Sequence, residues 1–261
     1  MAARTYKARG VVLRKRKLRE SDAIVAFLDN EGELREAVAH GARRPGSTFA
    51  GRLELFSEVD IVCSKGRNLD VVSDCRLIEG SLRRFGMEQS ISASAVAELL
   101  CVVAQPGLKQ ERLFELANSS FDAISKSDPS FAPVYAVAAL LKICAITGLR
   151  PSFSRCVLCG EQVSHDADGV AFSCSEGGVL CGTCKRPYDS YVYDGRTMAW
   201  CDALLYSRYA DIALFDDAPS AIAPVIEVAR SWILAHVGYR MKSLDMLASR
   251  SFISGMEGIE Q

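Results

Sequence analysis

The sequence predicts an α+β multidomain chain, with a small five-stranded barrel at the N-terminus followed by an α-helical domain that carries a cysteine-rich ribbon. Three observations predict it. Five short runs rich in β-branched residues occupy the first eighty residues, which suits a small closed barrel. After Ser90 the apolar residues recur at three and four, the spacing of helices. Residues 152–195 hold two close cysteine pairs and several glycines but no long apolar run.

The strands are expected at residues 8–13, 23–28, 34–39, 53–63 and 69–75. The second and third flank Asp29-Asn30-Glu31-Gly32, and the last two flank Ser64-Lys65-Gly66-Arg67-Asn68. Both are hairpin loops with a glycine where a positive φ is needed. Helices follow over 90–103 and 110–124, separated by Pro106-Gly107. Ser127-Asp128-Pro129 starts another, since a capping residue precedes a proline in the first turn. It runs to about Ile146, stops at Gly148, and is apolar on most faces, as a core helix is. Helical spacing returns over 197–214 and again after Pro219, where Ile222, Val225, Ile226, Ala229, Trp232, Ile233 and His236 form one stripe. A short turn at 245–248 closes the chain. The expected domains are 1–80 (barrel), 81–153 (helical, first part), 154–195 (ribbon), 196–250 (helical, second part) and 251–261 (flexible tail).

Composition narrows the function classes. The start, MAARTYKARG, has no apolar segment after its charges, so no secretory signal is read there. The stretch 131–149 is interrupted by Lys142, and a membrane span needs roughly 20 mostly apolar residues. The expectation is a cytoplasmic protein with no membrane partner, whose ten cysteines stay reduced. The net charge of −1 hides an asymmetry: residues 1–86 hold 17 basic and 12 acidic side chains, the rest 14 and 20. A basic front half suits a polyanionic partner.

Cys156-Val157-Leu158-Cys159 and Cys181-Gly182-Thr183-Cys184 are two C-x2-C knuckles with 21 residues between them. Each knuckle turns two thiolates toward one point, and two knuckles close a tetrahedron around one structural zinc ion. So small and polar a segment needs such a staple. A redox pair does not explain the second knuckle. A catalytic zinc needs an open coordination position, which four thiolates do not leave. Cys174 and His165, between the knuckles, read as unligated neighbours. The other scattered cysteines read as small buried hydrophobes.

The candidate nucleic-acid contacts are Arg14, Lys15, Arg16 and Arg19 after the first strand, with Arg43, Arg44 and Arg52 around the loop Pro45-Gly46-Ser47-Thr48. Lys65 and Arg67 lie in the later hairpin loop. Cations on barrel loops displace counterions from phosphates. Tyr6, Phe27, Phe49 and Phe56 are the candidate stacking aromatics, each read first as core. The sequence contains no G-x-x-x-x-G-K-[ST], G-x-S-x-G or H-E-x-x-H motif, so no catalytic residue is expected. His236 reads as a packed core residue, and Arg19-Glu20-Ser21-Asp22 as a polar turn.

Several of these stretches together resemble one family. They are Gly10-Val11-Val12-Leu13-Arg14, Arg19-Glu20-Ser21-Asp22, His40-Gly41-Ala42-Arg43-Arg44-Pro45, Phe49-Ala50-Gly51, Leu53-Glu54-Leu55-Phe56, Gly148-Leu149-Arg150-Pro151, Gly177-Gly178-Val179 and Lys242-Ser243-Leu244. In this order they are similar to the RecO family of bacterial recombination mediators in DNA repair. His40 stands where a lysine is common in that family, and some members lack the cysteines. The resemblance implies an N-terminal OB-fold, a helical domain with an inset zinc ribbon, and binding and annealing of single- and double-stranded DNA. It also implies work with RecR to load RecA onto DNA coated by single-strand-binding protein, with contact to the acidic tail of that protein. The rival readings are a zinc-containing adaptor whose basic barrel binds an acidic protein, a zinc hydrolase or deaminase, and an RNA-associated barrel protein.

Overall fold

A computed structural model describes residues 5–49, 51–166, 169–185 and 189–257; nothing is said of the side chains of residues 250–257. The described residues form two compact units, Met1–Gly86 with Val96–Ser125, and Met87–Ala95 with Lys126–Gln261.

In the first unit five strands close a barrel: β1 (Thr5–Lys17), β2 (Ala23–Asp29), β3 (Leu34–Ala39), β4 (Glu58–Ser64) and β5 (Asp70–Leu77). Their order is β1-β2-β3-β5-β4, with β3 and β5 parallel and the other pairs antiparallel. This is the topology of an OB-fold. Val12, Val25, Phe27, Ala37, Leu53, Val59, Ile61 and Cys63 fill the interior. All of β2 is buried, on both faces. The helical segment Val96–Ser125 belongs to this same unit, so part of the stretch that the sequence assigns to the helical domain packs with the barrel. That segment holds the end of α1 (Met87–Val103) and most of α2 (Glu111–Lys126).

Two loops show why the barrel closes as it does. At the β2–β3 turn the buried Asp29 accepts the backbone N–H groups of Glu31 and Glu33 and pairs with Arg35. Gly32 there has φ +81, and a Cβ would stand 2.1 Å from the carbonyl oxygen of Gln110, so no side chain fits. The second loop lies before β4, where the sequence reads strand from residue 53. Phe56 instead adopts φ 64, a left-handed conformation that costs roughly 1–2 kcal/mol. Its N–H donates to Val12 O at 2.7 Å, and its carbonyl accepts from the buried Arg83. Its ring stacks on Phe121 at 5.0 Å and meets the edge of Phe85 at 5.2 Å. Aromatic pairs of this kind contribute about 0.5–1.5 kcal/mol each, enough to offset the strain.

The second unit is built on α3 (Ala132–Ile146), entered through the short 3-10 turn Pro129–Phe131 whose first N–H groups are capped by Asp128. Around it lie α4 (Gly195–Tyr206), α5 (Tyr209–Ile212), α6 (Ala218–Val237) and α7 (Lys242–Glu257), with a small sheet of order β7-β6-β8. These strands are β6 (Val170–Ser173), β7 (Gly178–Leu180) and β8 (Tyr191–Tyr193). Helix α7 continues through 251–257, where the sequence reading places a tail.

Two helices, Pro129–Ile146 and Ala218–Val237, are long and apolar enough to cross a membrane by length and composition alone, a test that buried core helices also meet. In the first, 67% of the window is buried inside the protein, in the second 39%. Lys142 does not break the first helix. Its ammonium donates to the carbonyls of Leu204 and Leu205 at the C-terminal end of α4, where cations are favourable.

Candidate metal centre and nucleic-acid interface

The ribbon positions four cysteines. The Val157 N–H donates to Val179 O at 3.1 Å, tying the first knuckle to β7. Gly178, at φ +155, lies so close to Ser152 that a Cβ would stand 2.2 Å from its carbonyl oxygen. The Val179 N–H then reaches that oxygen at 2.9 Å. Within the first knuckle the Gly160 N–H donates to Cys156 O at 2.8 Å. In the second, the N–H groups of Cys184 and Lys185 close on Cys181 O at 3.1 and 2.9 Å.

The four Sγ atoms of Cys156, Cys159, Cys181 and Cys184 lie within 4.8 Å of one another. Burial raises the Cys156 thiol, but the N–H groups of Cys181, Cys159 and Leu158 outweigh it and bring it down to about 6. Hydrogen bonds to Cys181 and Cys159 push Cys184 up to about 12. A thiolate at Cys156 disfavours a second negative charge at Cys184, as like charges in one cluster do. A bound cation reverses that and ionises all four. The donor set fits a soft, tetrahedral metal ion. His165 directs Nε2 to Phe153 O at 2.8 Å, and Cys174 lies outside the group of four. Beneath the site Cys156, Ala171, Leu180 and Cys181 form a small buried cluster, with Val157 and Val163 packed partly buried against it. The ribbon is anchored instead by Phe172, which stacks on Phe153 at 5.6 Å and meets Trp232 at 5.8 Å. Trp232 in turn donates its indole N–H to Leu149 O.

The basic candidates fall into three groups. Arg14, Lys15 and Arg16 lie on the far end of β1, which pairs there with β2 and not with β4. Arg14 and Arg16 share Glu36, at 2.9 and 3.6 Å. Arg43 ties the loop after β3 to the turn that carries Arg19, and Arg44 follows it in the same loop. The Arg43 guanidinium donates to the carbonyls of Arg19 and Glu20 at 3.4 and 3.1 Å, and its N–H to Ser21 O at 2.9 Å. Arg52 stands apart, donating to Cys75 O and pairing with Asp74 at 3.7 Å. Among the described residues Lys15, Arg19 and Arg44 form no ion pair. In the later hairpin loop, Lys65 pairs with Asp70 and lies 4.6 Å from the Tyr6 ring centroid.

Two aromatic candidates are unavailable for stacking. Phe27 is in the barrel interior and Phe56 in the Phe85–Phe121 cluster. Tyr6 and Phe49 are partly buried against the barrel core. The polar turn hides a functional group that the sequence reading passes over. Asp22 is buried and accepts the Gly41 N–H at 2.9 Å, His40 Nδ1 at 3.0 Å and Ser21 Oγ at 3.1 Å. The Gly41 N–H and the imidazole bring its pKa down to about 2. Only its position before a strand and 18 residues ahead of the sole histidine of this unit hints at the pairing.

Comparison with known proteins places both units. Residues 1–81 match the family described as Recombination protein O N terminal, and residues 84–245 that described as Recombination protein O C terminal. Similar proteins named DNA repair protein RecO occur in Rubrobacter xylanophilus, 30% identical over 238 residues (88% of this chain, 92% of the relative), and in Cutibacterium acnes, 29% identical over 249 residues (93% and 98%). Another, from Symbiobacterium thermophilum, is 34% identical over 180 residues (69% and 71%).

Proposed function

The chain belongs to the RecO family of DNA repair proteins, and from that premise we propose that it is a DNA-binding recombination mediator. Its barrel binds single- and double-stranded DNA and anneals complementary strands. With RecR it helps load RecA onto DNA coated by single-strand-binding protein, whose acidic tail it contacts. The observation that carries this reading is the junction where Arg43 ties the β1–β2 turn, which holds Arg19, to the loop after β3, which holds Arg43 and Arg44. Arg14, Lys15 and Arg16 at the end of β1, and Arg52 separately beside β5, are the further phosphate contacts in this reading. Cations there neutralise phosphates and release their counterions, and neutralised strands repel one another less. No bond is made or broken, so the reading assigns no catalytic residue. Cys156, Cys159, Cys181 and Cys184 hold one structural Zn2+, which supplies a cross-link for a ribbon that has little core of its own.

The test measures binding of labelled single strands, annealing of complementary oligonucleotides, and co-purification with RecR. Binding and annealing at moderate salt support the reading; their absence in zinc-loaded, folded protein overturns it. One observation favours the second reading, a protein adaptor. Arg14, Arg16 and Arg52 are already paired with Glu36 and Asp74, which leaves fewer cations for phosphates. Tight binding of an acidic peptide with no DNA binding would select the adaptor.

A further inference from the structure

We propose that His40 is a proton-linked phosphate contact of the basic junction, its imidazolium oriented by Asp22. The proposal rests on the nucleic-acid reading above and adds to it a charge that depends on pH. The side chains differ sharply in exposure: His40 is 60% exposed and Asp22 10%. The carboxylate is fixed from both sides. Oδ2 meets His40 Nδ1 at 3.0 Å, and Oδ1 takes the Gly41 N–H at 2.9 Å and the Ser21 hydroxyl at 3.1 Å. With Nδ1 committed as donor to a carboxylate, Nε2 is the nitrogen left for a ligand.

The charge state of the ring decides what Nε2 offers. In neutral imidazole it presents a lone pair, which repels a phosphate oxygen. In the imidazolium it presents an N–H, which makes a charge-assisted hydrogen bond. Asp22 is the charged group that contacts the ring; the turn that carries Asp22 also holds Arg19 and Glu20, and the loop that carries His40 also holds Arg43 and Arg44. Arg43 is held on the carbonyls of Arg19 and Glu20. The Arg44 side chain runs beside Gly41, its Cδ 3.5 Å from where a Cβ would stand. Protonation adds one cation to a loop that already carries Arg43 and Arg44, and phosphate binding would favour that protonation in return.

The experiment titrates salt against the affinity of the full chain for labelled oligothymidylate at pH 5.5 and 8.5. It compares the wild type with His40→Gln and His40→Lys. One more phosphate contact on a single strand steepens the logarithmic salt slope by about 0.7, which at 0.1 M salt is about 5-fold tighter binding. The wild type is expected to show that change between pH 8.5 and 5.5. His40→Gln should keep the shallow slope at both pH values, and His40→Lys the steep one at both. That rescue separates a contact from a merely structural role. A wild-type slope that does not change with pH, or a change that persists in His40→Gln, overturns the proposal while leaving the nucleic-acid reading intact. No binding by any of the three proteins overturns both.

Discussion

Replacing Phe172 with alanine tests how the ribbon is held. The ring is fully buried between Phe153, Trp232 and Tyr193, with centroid distances of 5.6, 5.8 and 6.1 Å. A buried Phe→Ala change costs about 3–5 kcal/mol, because both transfer energy and cavity count. The loss of three ring contacts places this site in the upper part of that range. Both tryptophans, Trp200 and Trp232, lie in the second unit, so their fluorescence follows that unit alone in urea. With a slope of about 2 kcal/mol per molar, the midpoint should fall by about 2 M. Metal content should stay at the wild-type value, since the four thiolates are untouched. A loss under about 1 kcal/mol would refute the reasoning, and would mean that contacts other than the Phe172 ring hold the ribbon to the helices.

Three further outcomes follow. Cys159→Ser should leave less than one metal ion per chain after dialysis against a chelator and alter tryptophan fluorescence, while the oligonucleotide affinity of the folded protein is retained; selective loss of binding in a folded variant would contradict the separation of roles. Gly10→Ala should cost about 1–3 kcal/mol by overpacking, because its Cβ would stand 2.7 Å from Phe27 Cδ2 and 2.8 Å from Leu28 O; an unchanged urea midpoint for the barrel would contradict it. Asp22 has a folded-state pKa of about 2, below the ordinary carboxylate value, so its contribution is present above about pH 4 and is lost as pH falls toward 2. The stability difference between wild type and Asp22→Asn should shrink over that window, and a difference that stays constant down to pH 2 would contradict the assignment.

Much of the fold is legible where one physical signal dominates. The knuckles announce themselves by spacing, and Phe131 to Ile146 reads as a core helix because its burial is nearly all-round. The barrel strands are recognisable although β2 shows no alternation, because it is buried on both faces. What escapes the sequence depends on contacts distant along the chain. Phe56 sits in a run that reads as strand, and its left-handed backbone is stable only through Val12, Arg83 and Phe121. The last turn of β1 carries only charges, so its pairing with β2 has no apolar pattern to betray it. Asp22 looks like any turn carboxylate until His40 and Gly41 close on it. The seven basic candidates also look equivalent in sequence, whereas Arg14, Arg16 and Arg52 carry acidic partners and Arg43 serves as a loop tie.

That distinction selects the variant for the most direct measurement. Arg43→Ala would disturb the loop as well as the charge, but Arg19 and Arg44 form no ion pair among the described residues. The salt dependence of oligothymidylate affinity should be measured for the wild type and for Arg19→Ala/Arg44→Ala at one pH. Two lost phosphate contacts reduce the slope by about 1.4, with the urea midpoint unchanged. An unaltered slope in the folded double variant would contradict the claim that this end of the barrel is where the protein meets DNA.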